Sequence, residues 1–231
     1  MKTTFITIII YLIIFKTGLR IFPVGSEFNI ASDFLIYDFI PSAVALGGGY
    51  SSVIDDPNVI LYNPASSAWI NKNSVYFSHI IYPNDVFTEY LSYFQKINGD
   101  KSRFGLSIFF RSSYFSGYGK NEEFIGDVLS KDLMLILSFS TIVKPGISAG
   151  INIKYARSSA HIYSSDNIIF DFGVTYINPL FKNIITALSL RNAGFDLKYG
   201  LKGIYMVNEK DIIDKSIDPA QLPLEIIFGI S

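Results

Sequence analysis

The residues with the best claim to chemistry are Asp55-Asp56, the Gly47-Gly48-Gly49 turn, the Asn63-Pro64 step and four cations: Arg103, Arg111, Lys154 and Arg191. Adjacent carboxylates point different ways, and an Asp ahead of a proline such as Pro57 usually begins a turn or caps a helix. No catalytic pair is therefore read at Asp55 and Asp56. The triple glycine permits positive φ and close backbone approach. It lacks the Lys-Ser/Thr step of a phosphate-binding loop, so nucleotide is not expected there. His79 and His161 are far apart and have no partner at ligand spacing, so no metal is expected. The chain has no cysteine, which excludes disulfides, thiolate catalysis, Cys-ligated zinc and a lipid-anchoring cysteine. No enzyme activity and no cofactor are read from these residues. Asn63 is the position expected to matter mechanistically. Proline pushes the residue before it out of the α region, so Asn63-Pro64 is either a rigid kink holding a segment in place or a purely structural turn. Asn63, Pro64, Asp55, Asp56, Gly48, Lys154 and Arg191 are the candidate residues for ligand contact and for holding that segment.

What positions these residues is a long series of period-two runs. Arg103 to Arg111 sets Phe104, Leu106, Ile108 and Phe110 against Arg103, Gly105, Ser107 and Arg111. Asp132 to Ile142, Ile147 to Arg157, Ile168 to Tyr176, Leu188 to Arg191 and Leu224 to Ile230 repeat the pattern, after a less regular hairpin, Ser74 to Tyr82 and Thr88 to Lys96. One face of each run carries Leu, Ile and Phe; the other carries Gly, Ser, Asn, Lys and Arg. That makes about eight strands of about 9 to 11 residues, the length that crosses a bilayer when tilted. Ser112 to Lys131 and Ala193 to Pro223 read as long loops and Ser158 to Asn167 as an intermediate one, whereas Lys144-Pro145-Gly146 is a short turn. Long loops on one side and short turns on the other are the habit of outer-membrane barrels.

The bulk composition agrees. Of 231 residues, 49% are hydrophobic and 16% aromatic, but only 17% are charged, against about 25% in soluble domains. After residue 15 no apolar run approaches the roughly 20 residues a spanning helix needs. Hydrophobicity spread over alternate positions is what a lipid-facing barrel requires. A soluble β-sandwich is the competing architecture. The net charge of −1 gives no basic footprint for nucleic acid.

Residues 1–26 read as an export signal, with Lys2 ahead of the apolar stretch Thr3 to Phe15 and small residues near Val24-Gly25-Ser26. An uncleaved anchor helix is the alternative. Residues 27–72 have no period-two pattern and are placed inside a lumen or across its mouth. Pro57 suits the first turn of a helix, and Ala65 to Trp69 suits one short turn. Residues 73–231 supply the strands.

The chain resembles the PorV/PorQ type of outer-membrane protein, within the wider group similar to the long-chain fatty-acid transporter FadL. The likeness is carried by Ala45-Leu46-Gly47-Gly48-Gly49-Tyr50, Val53-Ile54-Asp55-Asp56-Pro57 and Leu61-Tyr62-Asn63-Pro64-Ala65. Phe77-Ser78-His79, Gly105-Leu106-Ser107, Ser148 to Tyr155, Leu190-Arg191-Asn192-Ala193-Gly194 and Leu222-Pro223-Leu224 continue it. The resemblance implies an antiparallel transmembrane β-barrel of about fourteen strands, within the known range, with its N-terminal segment in the lumen as a plug. This chain then looks like its N-terminal part, incomplete at the C-terminus. Location in the outer membrane of a Gram-negative-type envelope is implied, in contact with outer-membrane lipid. Two functions follow from the resemblance. One is uptake of hydrophobic small molecules, with the N-terminal segment as a hatch; the other is a non-transporting role beside a secreted or surface-attached partner protein.

Overall fold

The computed structural model describes residues 19–21, 34–83, 85–99, 101–118, 124–160, 163–181, 184–195, 200–201 and 221–231. Within them the protein is all-β: one antiparallel sheet and an N-terminal segment packed on one face of it. The strands are β1 (Leu19–Ile21), β2 (Ser74–Tyr82), β3 (Val86–Ile97), β4 (Ser102–Tyr118), β5 (Phe124–Lys144), β6 (Ile147–Ala160), β7 (Tyr163–Ile177), β8 (Ile185–Gly194), β9 (Gly200–Leu201) and β10 (Glu225–Ile230). They pair in the order β1-β10-β8-β7-β6-β5-β4-β3-β2, with β9 beside β7. From β2 to β8 each strand lies beside its sequence neighbour, a meander in which every connection is local.

Side chains sort by parity along every long strand. On β4, Arg103, Gly105 and Ser107 are buried while Phe104 and Leu106 are exposed. Cross-strand pairing carries the same faces from strand to strand: Phe104 sits opposite Phe139, Leu106 opposite Leu137 and Ile108 opposite Leu135. The outward apolar face stays bare, with Phe104 38%, Leu137 47%, Phe172 46% and Phe228 46% exposed. No second layer covers it among the described residues, unlike the inner face of a two-sheet sandwich. Even β2, irregular in sequence, alternates in burial along its whole length.

Strand lengths depart from expectation. β4 has 17 residues and β5 has 21, so most of Ser112 to Lys131 is a hairpin, with Ser112 paired to Lys131 and Tyr114 to Leu129. Ser158 to Asn167 is likewise largely strand, with Ser158 opposite Ser165. The apolar alternation stops near Phe110 and Leu133, but Ser, Lys and Asp beyond it still offer backbone to the ladder. Periodicity marks where the greasy face ends, not where pairing ends.

The other face of the sheet is covered by residues 34–72. Here Pro41–Ala45 forms a short helix, α1, and two 3₁₀ turns follow, Pro57–Leu61 and Pro64–Trp69. Each begins on a proline, whose missing N–H costs nothing in a first turn. The core lies between this segment and the inward side chains, built around Phe34, Phe39, Ile60, Tyr90, Phe109 and Ile136.

Among the described residues the sheet is not closed: β1 and β2 are its edges, and no pairing joins them. β1 falls inside the segment read as an export signal, whose remaining residues lie outside those described. Should export remove residues 1–26, β10 becomes the second open edge.

Candidate functional site

Asn63 stands at the centre of the contact between the N-terminal segment and the sheet, fully buried. Its backbone is extended, as a residue before proline must be, and its Oδ1 accepts from the Ala65 N–H at 3.0 Å, capping the second 3₁₀ turn. Its Nδ2 donates to Thr175 Oγ1 at 3.0 Å on β7, to the Ser51 carbonyl at 3.1 Å and to Ser66 Oγ at 3.2 Å. One amide thus caps a helical turn and ties it to the wall. Pro64 lies against Gly150 and Gly173 of the inward face. A Cβ at Gly173 would meet Asn63 Oδ1 at 1.9 Å, and one at Gly150 would meet Pro64 and Ala65 backbone at 2.5 Å. These glycines make the groove in which Asn63-Pro64-Ala65 sits.

Further wall side chains read the backbone of this stretch. Asn152 Nδ2 donates to the Ile60 carbonyl at 2.8 Å, Ser189 Oγ to Tyr62 at 2.7 Å, Ser148 Oγ to Ala65 at 2.8 Å and Arg103 Nε to Ile70 at 2.5 Å. Ser67 and Ser140 hydroxyls meet at 2.8 Å, and Trp69 Nε1 donates to Ser148 Oγ at 3.0 Å. Losing one such buried partner leaves a polar group unsatisfied, at a cost of about 1–3 kcal/mol.

The remaining candidates divide. Gly48, at φ 78°, ends α1: its N–H donates to the Ala43 carbonyl at 2.9 Å, a left-handed terminus that glycine allows. Asp56 caps the first 3₁₀ turn through Asn58 N at 2.8 Å and accepts from the Tyr50 hydroxyl. Burial, with Asp56 beside it, pushes the Tyr50 hydroxyl above the ordinary phenol range, so it remains a donor. Asp55 is exposed, at φ 70°, and accepts from the Asn71 N–H at 3.4 Å. Adjacent in sequence, the two carboxylates serve different turns.

Lys154 and Arg191 do come together, within a cluster. Lys154 Nζ lies 2.7 Å from Asp171 Oδ2 and donates to Asn192 Oδ1 at 3.1 Å. Asp171 also accepts from Asn152 Nδ2 and the Asn192 N–H. Arg191 Nη1 lies 2.8 Å from Glu225 Oε2, while its Nη2 donates to the Leu35 carbonyl at 3.2 Å. Its guanidinium lies 5.5 Å from the Tyr62 ring centroid, within cation–π range. All four side chains, two cationic and two acidic by type, are buried; removing one partner of such a pair typically costs about 3–5 kcal/mol. Beside the cluster a cavity of about 10 Å³ is lined by Phe34, Leu35, Phe39, Met134, Lys154 and Arg191 among others, about the room one water needs. Arg191 Nε has no hydrogen-bond partner there. Arg103 and Arg111 stand apart from this cluster; Arg111 Nη2 lies 2.8 Å from Asp132 Oδ2.

Among the described residues no group of three His, Cys, Asp or Glu side chains could hold a metal, and no helix is long and apolar enough to cross a membrane, which leaves strands untouched. His161 lies outside the described residues. Comparison with protein-family models, characterised proteins and solved structures finds no match. Sequence reasoning missed Asp171, Glu225, Asn152 and Asn192 as partners. Their inward parity was visible, but which cation each would meet depends on register. Asn192 is harder still, since it sits at φ 59° beside a pairing irregularity between Phe170 and Phe172.

Proposed function

We propose that this chain forms lipid-embedded wall and luminal plug of an outer-membrane barrel that admits hydrophobic small molecules. The supporting observation is the sorting of faces: apolar side chains bare on one side of the sheet, polar side chains buried against residues 34–72 on the other. A soluble protein would bury the first face. The band has membrane dimensions: Ser102 to Ser112 on β4 brackets its apolar rows, opposite Thr141 and Lys131 on β5. Ten steps of about 3.3 Å, tilted about 40°, span about 25 Å, the height of the apolar belt of such barrels. Charged outward residues Glu89, Arg157, Asp166 and Lys131 lie on the Phe110 row or beyond it, toward one end of the strands. The hydrophobic cargo is favoured by the rings of Phe34, Phe39, Tyr90 and Phe109 beside the Lys154–Arg191 cluster.

The absence of cysteine makes the test direct. Nitroxides are placed singly along residues 104–108 and 135–139 in lipid vesicles, and their collisions with oxygen and with a water-soluble nickel chelate are measured. Outward positions should favour oxygen at every second residue. Chelate access equal at odd and even positions would remove the membrane reading. Binding of palmitate to the detergent-solubilised protein tests the cargo separately.

A further inference from the structure

One pair of ionisable side chains lies within the outward apolar band itself. His79 on β2 stands opposite Glu89 on β3, with Nδ1 3.4 Å from Oε1. Their side chains are 43% and 52% exposed. Apolar residues of the same face flank the pair in both directions along the strands. Phe77 and Leu91 lie one row toward the β3–β4 turn, and Ile81 and Phe87 one row toward the β2–β3 turn.

Strand length fixes the depth of this pair. β2 has nine residues, bounded by Lys72 on one side and Asp85 on the other. Eight steps of about 3.3 Å, tilted about 40°, rise about 20 Å, so the whole strand fits inside a belt of about 25 Å. Arg157 and Asp166 occupy the same row on β6 and β7. Beyond them come Ser159 and Ser164, so on those strands the band has already ended. A band that ends sooner on β6 than on β2 crosses the sheet obliquely, as strands tilted to the barrel axis require. Arg157 and Asp166 therefore border the belt, whereas His79 and Glu89 lie in it.

Ionisable groups inside a membrane are rare and almost always face protein or water. Acyl chains offer neither donor nor acceptor, and lipid headgroups lie outside the belt. The contact between His79 and Glu89 uses one imidazole nitrogen and one carboxylate oxygen, and each group keeps a second polar atom for a further partner.

We infer that the outer face of β2 and β3 docks a second copy of this chain within the membrane, His79 of each copy meeting Glu89 of the other. This inference rests on the membrane reading proposed above. Copies inserted the same way round are related by a two-fold axis along the bilayer normal, which keeps every residue at its own depth. Such an interface sets one patch against itself, so a residue that touches a second must be touched by that second in return. His79 and Glu89 satisfy the condition, being complementary in charge, neighbours in one row and close in depth. Phe77, Ile81, Leu91 and Tyr93, bare on the same face, supply apolar contact around them. The contact uses the face of β2 and leaves its backbone edge to pair with another strand.

Single thiols introduced into the cysteine-free chain test this in phosphatidylcholine vesicles. Under a mild oxidant, Leu91→Cys should link copies at least about tenfold faster than Phe172→Cys, an outward position on β7, because docking raises the local thiol concentration. Adding His79→Glu or Glu89→His to Leu91→Cys sets like groups against each other and should slow linkage about tenfold. Mixing those two variants brings unlike groups together again and should restore linkage between unlike copies, which an unfolded variant could not do. Equal rates at Leu91→Cys and Phe172→Cys would overturn the docking, as would unchanged rates in the charge variants or no restoration on mixing. The membrane reading fails separately, through loss of the nitroxide alternation, whatever the thiols do.

Discussion

At the scale of single residues, Asn63 combines roles that usually need several side chains: acceptor for a helical turn, donor to the wall and donor to the Ser51 carbonyl. Asn63→Ala should lower stability by about 2 kcal/mol, the size of a lost cap plus an orphaned partner. Asn63→Asp should be worse than Ala. It keeps the cap but turns a second carboxylate oxygen toward the Ser51 carbonyl and buries a charge with no cation described beside it. Urea unfolding followed by Trp69, which is docked on Ser148, measures the order, and an Asp variant more stable than Ala would refute it. Gly173 supplies the complementary test. Gly173→Ala places a methyl on Asn63 Oδ1, an overpacking worth about 1–3 kcal/mol. Since Asn63→Ala removes the atom struck, the double variant should lose less than the sum of the two. Strict additivity would mean the groove is not keyed to Asn63.

Elements show what a sequence reveals and what it withholds. The faces of β4 through β8 and of β10 were legible because period two needs no knowledge of partners: Phe104, Leu137 and Phe172 alternate with Arg103, Ser138 and Asp171 whatever lies beside them. The short turns at Pro57 and Pro64 were legible from proline alone. Strand ends were not, because Ser112, Ser113 and Ser130 break the apolar rhythm without breaking the ladder. Ion partners were not, because Lys154 meets Asp171 only once β6 and β7 are in register. Inward glycines were visible, but their use as a groove for Pro64 depends on a segment about a hundred residues away in sequence, a contact no local rule supplies. The apolar belt also makes a depth-dependent prediction. Leu137→Arg, mid-band on β5, should destabilise the protein in lipid vesicles by about 2–4 kcal/mol, whereas Ser112→Arg, at the band's border, should cost about 0–1 kcal/mol. Urea titration of both variants in vesicles decides it; equal penalties would place the two positions at one depth.

For the whole molecule the governing fact is the open edge. Among the described residues, β2 presents an unpaired side along its nine residues, and the three residues of β1 cover β10. In hydrocarbon each unsatisfied backbone group costs several kcal/mol, more than a domain's usual margin once a few are summed. The described strands cannot simply curl further to meet, because an eight-stranded barrel has an interior filled by its own side chains, and here the polar face of the sheet is already covered by residues 34–72. To be stable in a bilayer the sheet needs more strands than the described ones provide, whether those strands come from the rest of the chain or from other molecules. Refolded alone in detergent, the 231-residue chain should give no compact monomer of the kind that migrates faster unheated than boiled, and light scattering should report association that grows with concentration. A monodisperse, heat-modifiable monomer would mean that the edges seal within one chain and that the plug leaves the lumen to let them.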